Sequence, residues 1–164
     1  MKTLYLLRHA KSSWKFDELS DHDRPLNKRG RNDAALMGEE LASRDANPDL
    51  ILSSPAVRAI TTATLVAKEL DYDVDKIEVD ERIYRAEKHE LVELLQSMPD
   101  YVQSLMLVGH NDAITDLANS LSPEQVASIP TSGVVCLTFN SDSWLNISKE
   151  VATFHFFDFP KNYK

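Results

Sequence analysis

Two arginines and two histidines in this chain stand where side chains can act on an anion. Arg8-His9 directly follows the apolar run Leu4-Tyr5-Leu6-Leu7, and His110-Asn111 follows the apolar stretch Ser104 to Gly109. Arg58 closes the segment Ser53-Ser54-Pro55-Ala56-Val57-Arg58. A serine-proline pair is a strong helix start, so Arg58 is expected about one turn into a helix whose amino end itself attracts anions. Guanidinium is a permanent fork-shaped anion binder, and a neutral imidazole can be a nucleophile. His22, His89 and His155 have no His-x-x-x-His spacing and no cysteine near them, so no metal site is expected. This set suits phosphoryl transfer through histidine. One imidazole attacks phosphorus while the arginines and the second imidazole hold charge on the equatorial oxygens.

The elements that must position these groups follow from periodicity. Short apolar runs at 4–7, 49–53 and 104–109 read as strands buried on both faces, with a further short strand near Ile77. Asn27 can cap a helix with the stripe Ala34, Met37, Gly38, Leu41. Ser54-Pro55 starts a second helix that reaches about Leu70. A third runs from about His89 to Met98, and a fourth carries Ile114, Leu117, Ala118 and Leu121. In the last forty residues the period changes. Gly133 to Phe139 and Val151 to Phe159 read as antiparallel strands at a sheet edge, with a short strand near Trp144 to Ile147 between them. The alternation predicts an α/β protein, a three-layer α/β/α sandwich whose mostly parallel central sheet carries antiparallel C-terminal edge strands, as one domain over residues 1–164. Parallel strands would open all three arginine- and histidine-bearing junctions onto one rim, at the carboxyl ends where such sheets bind ligands.

Composition narrows the partners. The 164 residues are 43% hydrophobic, enough for a substantial core, and carry a net charge of -8, which argues against nucleic acid. Residues 1–31 hold eight Lys/Arg and four acids, hence +4, leaving -12 for the rest. That local positive field fits a small anionic group. Lys28, Arg29 and Arg31 read as a solvated helix end. No membrane-length apolar segment occurs, and Arg8-His9 interrupts the N-terminal apolar run too early for a signal peptide. The single Cys136 excludes an intrachain disulfide, so a cytoplasmic location is expected, with no cofactor and no membrane partner. Two other phosphatase signatures fail. Asp71-Tyr72-Asp73-Val74 follows a helix rather than a buried strand, and six residues after Cys136 stands Asp142 rather than arginine. Cys136 reads as a small buried apolar residue.

The chain resembles the histidine phosphatase superfamily, which shares the phosphoglycerate-mutase fold, and within it the SixA-type phosphohistidine phosphatases. The resemblance runs through Leu7-Arg8-His9-Ala10-Lys11-Ser12, Asp23-Arg24-Pro25-Leu26-Asn27-Lys28-Arg29-Gly30, Ser53 to Ala59 with Thr62-Ala63, Val108-Gly109-His110-Asn111, and Pro130-Thr131-Ser132-Gly133. It implies a covalent nucleophile at His9 and a phosphate clamp of Arg8, Arg58 and His110. Lys11, Ser12 and Asn111, beside matched motifs, become candidate substrate-binding residues.

One departure from the family pattern bears on the substrate. Many members place a glutamate general acid in mid-chain, and aligning on Ile83-Tyr84 puts Arg85 there. Glu81, Glu87, Asp17, Asp21 and Asp23 remain as acids without a clear claim, each expected to be solvated. A phosphorylated imidazole can leave already protonated on its ring, so a site without a dedicated acid suits N–P cleavage. The 52 residues from Arg58 to His110 leave little for a helical lid, and an open pocket could admit phosphohistidine on another protein. Trp14 and Phe16 read equally as a recognition patch or as a loop anchor. Three functions are compatible: a protein-phosphohistidine phosphatase, a phosphatase of small phosphomonoesters or phosphoramidates, and an inactive phosphate-binding module.

Overall fold

The computed structural model describes residues 1–164. Six strands form one sheet: β1 (Lys2–Arg8), β2 (Leu50–Ser53), β3 (Glu78–Val79), β4 (Ser104–Gly109), β5 (Val134–Phe139) and β6 (Ala152–Asp158). Their order is β3-β2-β4-β1-β5-β6. The first four run parallel, β5 is antiparallel to β1, and β6 is antiparallel to β5. Four helices cover the sheet: α1 (Lys28–Ser43), α2 (Val57–Glu69), α3 (Lys88–Gln96) and α4 (Ala113–Leu121). This is the α/β/α sandwich predicted from the alternation of periods.

Side-chain alternation along the central strands divides the core in two. Tyr5 and Leu7 of β1, with Met106 and Val108 of β4, face α1 and α2 and pack with Met37, Leu41, Ala63 and Val66. Leu4, Leu6, Leu105 and Leu107 face the other way, against Leu91, Leu94 and Leu95 of α3 and Ile114 and Leu117 of α4. Each fully buried leucine contributes about 1.5–3 kcal/mol relative to exposure, so register in these strands is strongly determined. Asn27 caps α1 as expected, its Oδ1 accepting from Gly30 N at 2.8 Å.

Two local predictions differ from the structure. Trp144 to Ile147 forms no strand. Trp144–Asn146 is a 3-10 turn closed by the Ser143 side chain, which accepts from Leu145 N. Trp144 is wholly buried and its indole N–H donates to Val102 O at 2.8 Å, so the apolar pattern there marks a plug beneath the sheet. The second helix begins at Val57, later than Ser54-Pro55 suggests, because Ser54 Oγ accepts from Ala56 N and closes a separate turn first.

Gly30 lets α1 settle against the loop that follows β1. Asn27 N donates to Lys11 O at 3.0 Å, and a Cβ on Gly30 would overlap that same carbonyl. Gly30→Ala should therefore push the Lys11 backbone outward and cost about 1–3 kcal/mol, the scale of overpacking. Urea unfolding of the variant checks this, and an unchanged midpoint would contradict the close approach.

Candidate active site

Sheet register brings the three junctions together. Arg8 pairs with Gly109 and Ser53 with Val108, so β1, β2 and β4 end at nearly one level. Beyond the ladder, His9 N donates to Gly109 O and Ser54 N to Val108 O, each at 3.1 Å. Ser132 N, from the turn before β5, donates to the carbonyls of both Arg8 and His9 at 3.2 Å. Thr62 fastens α2 to this rim. Its hydroxyl accepts from Ala10 N at 2.9 Å and donates to Arg58 O at 2.8 Å.

His9 is nearly buried, and its Nδ1 lies 2.7 Å from Ala10 O. A carbonyl only accepts, so Nδ1 carries the proton and Nε2 presents a lone pair. Burial pushes the His9 imidazole down to about 3, with His110, Arg58 and Arg8 acting in the same direction against the Ala10 hydrogen bond. His110 lies beside it, ring centroids 5.1 Å apart, and is pushed down to about 4 by burial and then by Arg58. Its Nε2 is 2.8 Å from Ser54 Oγ. Both rings are therefore neutral at neutral pH, between two guanidinium groups. Arg8 Nη1 donates to Ile129 O at 2.9 Å, while its buried Nε has no partner within the protein. A cavity of about 190 Å³ is bordered by His9, Arg8, Lys11, Ser12, Arg58 and Thr131, with the buried Arg24 and the exposed Trp14 also lining it.

The remaining sequence-derived candidates fall into different places. Lys11 is exposed at the cavity wall. Ser12 is buried, and its hydroxyl accepts from Arg24 Nη2. Asn111 turns its amide away from His9. Nδ2 donates to Ile129 O at 3.0 Å and to Ser128 Oγ at 3.1 Å, and Oδ1 accepts from Thr115 at 2.7 Å. Since Ile129 O also receives Arg8, Asn111 bears on the site through that arginine. Glu81, Glu87, Arg85, Asp17 and Asp23 are all exposed. Glu87 is spent in the capping box of α3, and Asp23 faces His22 at 3.3 Å.

Asp21, expected from the sequence to be one of several solvated acids, and Tyr84, given no role there, are both part of the site. Arg58 donates to Asp21 twice, Nη1 to the main-chain O at 2.6 Å and Nη2 to Oδ2 at 3.0 Å. Tyr84 OH donates to the same Oδ2 at 2.7 Å, and Arg24 Nη1 to Oδ1 at 2.8 Å. The Tyr84 hydrogen bond, then those of Arg58 and Arg24, hold the Asp21 carboxyl well below the usual carboxylate range despite some burial. Half of its side chain is exposed, yet it is an ionised counter-charge to the clamp rather than a solvated acid. Tyr84 also sets its ring edge-on to His110, centroids 5.7 Å apart. The Asp21-x-x-Arg24 spacing was the only sequence signal for this network. No three His, Cys, Asp or Glu side chains converge as a metal-binding group.

A tautomer-fixed neutral imidazole in a cationic cavity at the ends of parallel strands can handle a phosphoryl group, and comparison with known proteins points the same way. Residues 4–102 match the histidine phosphatase superfamily (branch 1). The chain belongs to that superfamily. An uncharacterized protein of Mycobacterium tuberculosis is 31% identical over 165 residues, covering 94% of this chain and 100% of its own length. Among solved structures, the protein histidine phosphatase SixA complexed with tungstate superposes with a TM-score of 0.83 at 23% identity, covering 99% of each chain. A putative phosphohistidine phosphatase SixA from Agrobacterium tumefaciens superposes with a TM-score of 0.78 at 29% identity, covering 96% of this chain and 97% of that one. This histidine phosphatase chain thus has the SixA-type architecture.

Two outcomes test the geometry. Between pH 6.5 and about 4 the unfolded chain takes up protons at His9 and His110 while the folded chain does not, so stability should fall as pH decreases through that window. The slope should reach up to about 1.4 kcal/mol per pH unit for each group. Urea midpoints of the wild type and His110→Asn across this range should show a shallower slope in the variant, and identical slopes would contradict neutral burial of His110. Thr62→Val leaves the buried Ala10 N–H unpaired and should cost about 1–3 kcal/mol, read from the same unfolding curves.

Proposed function

We propose that the chain is a phosphohistidine phosphatase that acts on a partner protein through a covalent intermediate on His9, working in the cytoplasm as one domain without a metal ion. The carrying observation is that the cavity holds a neutral imidazole with Nε2 free, while Asp21, the carboxylate touching Arg58, is held ionised and so is no proton donor. A substrate whose leaving group needs no proton from the enzyme fits that chemistry.

In the first step His9 Nε2 attacks phosphorus and the N–P bond of the substrate breaks. The substrate imidazole already carries a proton on its other ring nitrogen and departs neutral, while phospho-His9 becomes the imidazolium, its Nδ1–H held by Ala10 O. No proton changes hands. In the second step water attacks phosphorus, both its protons end on inorganic phosphate, and His9 returns neutral. In this reading Arg8 Nε, the Arg58 guanidinium and His110 hold the equatorial oxygens. Lys11 and Ser12 are read as cavity-wall contacts to substrate, and Asn111 as support for Arg8.

The shape of the site supports a protein substrate. Between α2 and β4 the only α-helix is α3, which packs inward through Leu91, Leu94 and Leu95, so no second helix of this segment is left to form a lid, and Tyr84 from the same segment meets Asp21 and His110. No helix is long and apolar enough to cross a membrane. The same quartet on a small phosphomonoester is the second reading. It is favoured by Asp21, whose carboxylate would lose its Arg58 partner when a phosphoryl group takes that guanidinium.

Initial rates on a phosphohistidine-bearing carrier protein, free phosphohistidine, p-nitrophenyl phosphate and an alkyl phosphate separate the two. We expect N-phosphorylated histidine to be processed far faster than the alkyl ester, with the aryl ester between. An efficient alkyl ester reaction abolished by Asp21→Asn would reverse the order of the two readings. Arg58→Ala and His110→Ala should each lower turnover by roughly 10²-fold. Activity should survive dialysis against EDTA, and a loss restored by added Mg²⁺ would contradict catalysis by these side chains alone.

A further inference from the structure

Trp14 is 73% exposed and yet held in one place. The Arg24 guanidinium lies 3.3 Å from the centroid of its ring. Arg24 itself is buried, and each of its three guanidinium nitrogens donates, to Ser13 O, Asp21 Oδ1 and Ser12 Oγ, which holds it beneath the indole. The backbone beneath is equally constrained. Ser13 N donates to Pro25 O at 2.8 Å, and Ser12 bridges Leu26, so both arms of the loop are pinned together at its base. One indole face is spent on Arg24 at the rim of the His9 cavity, and the rest of the ring is in water.

The surrounding surface has the same character. Nine large hydrophobic side chains are notably exposed in the whole chain, and three of them, Trp14, Phe16 at 43% and Leu19 at 37%, fall within this one six-residue stretch. Exposed apolar groups concentrated in one short stretch, one of them lining a functional cavity, mark an interaction surface. An aromatic ring fixed before contact loses little freedom on binding, which is what makes a good anchor.

We propose that Trp14, with Phe16 and Leu19, docks the protein that presents the phosphohistidine, inserting the indole into an apolar recess next to the modified residue. This rests on the phosphohistidine reading above. The occupant follows from continuity: Trp14 and His9 border one cavity of about 190 Å³, and most of the indole lies outside contact with Arg24, so a protein that brings a phosphoryl group to His9 extends over the exposed indole. Lys11 and Lys15 flank Trp14, while Asp17 and Glu18 lie between Phe16 and Leu19. With Lys11 on the cavity wall, the partner should place acidic groups next to its phosphohistidine.

The test measures kcat/KM for the wild type, Trp14→Ala and Trp14→Phe on a phosphohistidine-bearing carrier protein and on free phosphohistidine. Trp14→Ala should lower the ratio of the two, carrier over free, by about tenfold or more, through KM for the carrier. Trp14→Phe should recover most of it. An equal loss on both substrates would mean that the indole only supports Arg24, and an unchanged ratio would mean that it docks nothing. Either result overturns the proposal, as would co-sedimentation of the wild type with anionic phospholipid vesicles that Trp14→Ala abolishes while the ratio stays unchanged. A wild type inactive on both phosphohistidine substrates but active on an ester would instead overturn the reading on which the proposal rests.

Discussion

The hydrogen bond from His9 Nδ1 to the carbonyl of Ala10 is the contact on which the chemistry of this site depends. It puts the proton on Nδ1 and leaves the Nε2 lone pair free, holds the ring, and in the proposed reaction stabilises the positive charge that develops when Nε2 takes a phosphoryl group. Burial does the complementary work. It keeps the imidazole neutral beside two arginines, so the lone pair is available without any base to uncover it. A carbonyl is a better partner here than a carboxylate would be. It orients the ring without raising its proton affinity enough to leave it protonated among cations it must work beside.

That hydrogen bond is only as good as the backbone that makes it. Ala10 lies just past the end of β1, and its N–H is tied to Thr62 on α2. β1 sits between β4 and β5 in the middle of the sheet, so its end cannot move without disturbing ladders on both sides. Arg58 shares the helix with Thr62, and His110 follows the strand that pairs with β1. His9, Arg58 and His110 are therefore positioned by the same core that gives the fold its stability. Asp21 is held differently. It reaches Arg58 from a loop 37 residues away in sequence, and its place depends on that arginine and on Tyr84.

How much could be read from the chain alone follows from this difference. Arg8, His9, Arg58 and His110 are legible because each stands at the end of an apolar run or the start of a helix, where periodicity places it. The two core faces of β1 and β4 are legible for the same reason. Asp21 and Tyr84 meet across 63 residues, and nothing local in either segment signals it. Asn111 looked like a substrate contact because it follows His110, but a residue's neighbour in sequence says little about where a side chain turns, and here it turns toward Ile129. Trp144 misled in another way: an apolar residue filling a gap under the sheet has the composition of a strand without its backbone.

The linkage of the phosphoryl group in the reaction intermediate tests this account most directly. Mixing the chain with a phosphohistidine-bearing protein, quenching in base and mapping the acid-labile phosphate by mass spectrometry and ³¹P NMR identifies both the residue and the nitrogen. The account predicts phosphate on Nε2 of His9, absent in His9→Ala. Phosphate on Nδ1 of His9, on His110, or turnover by the His9→Ala variant would contradict it.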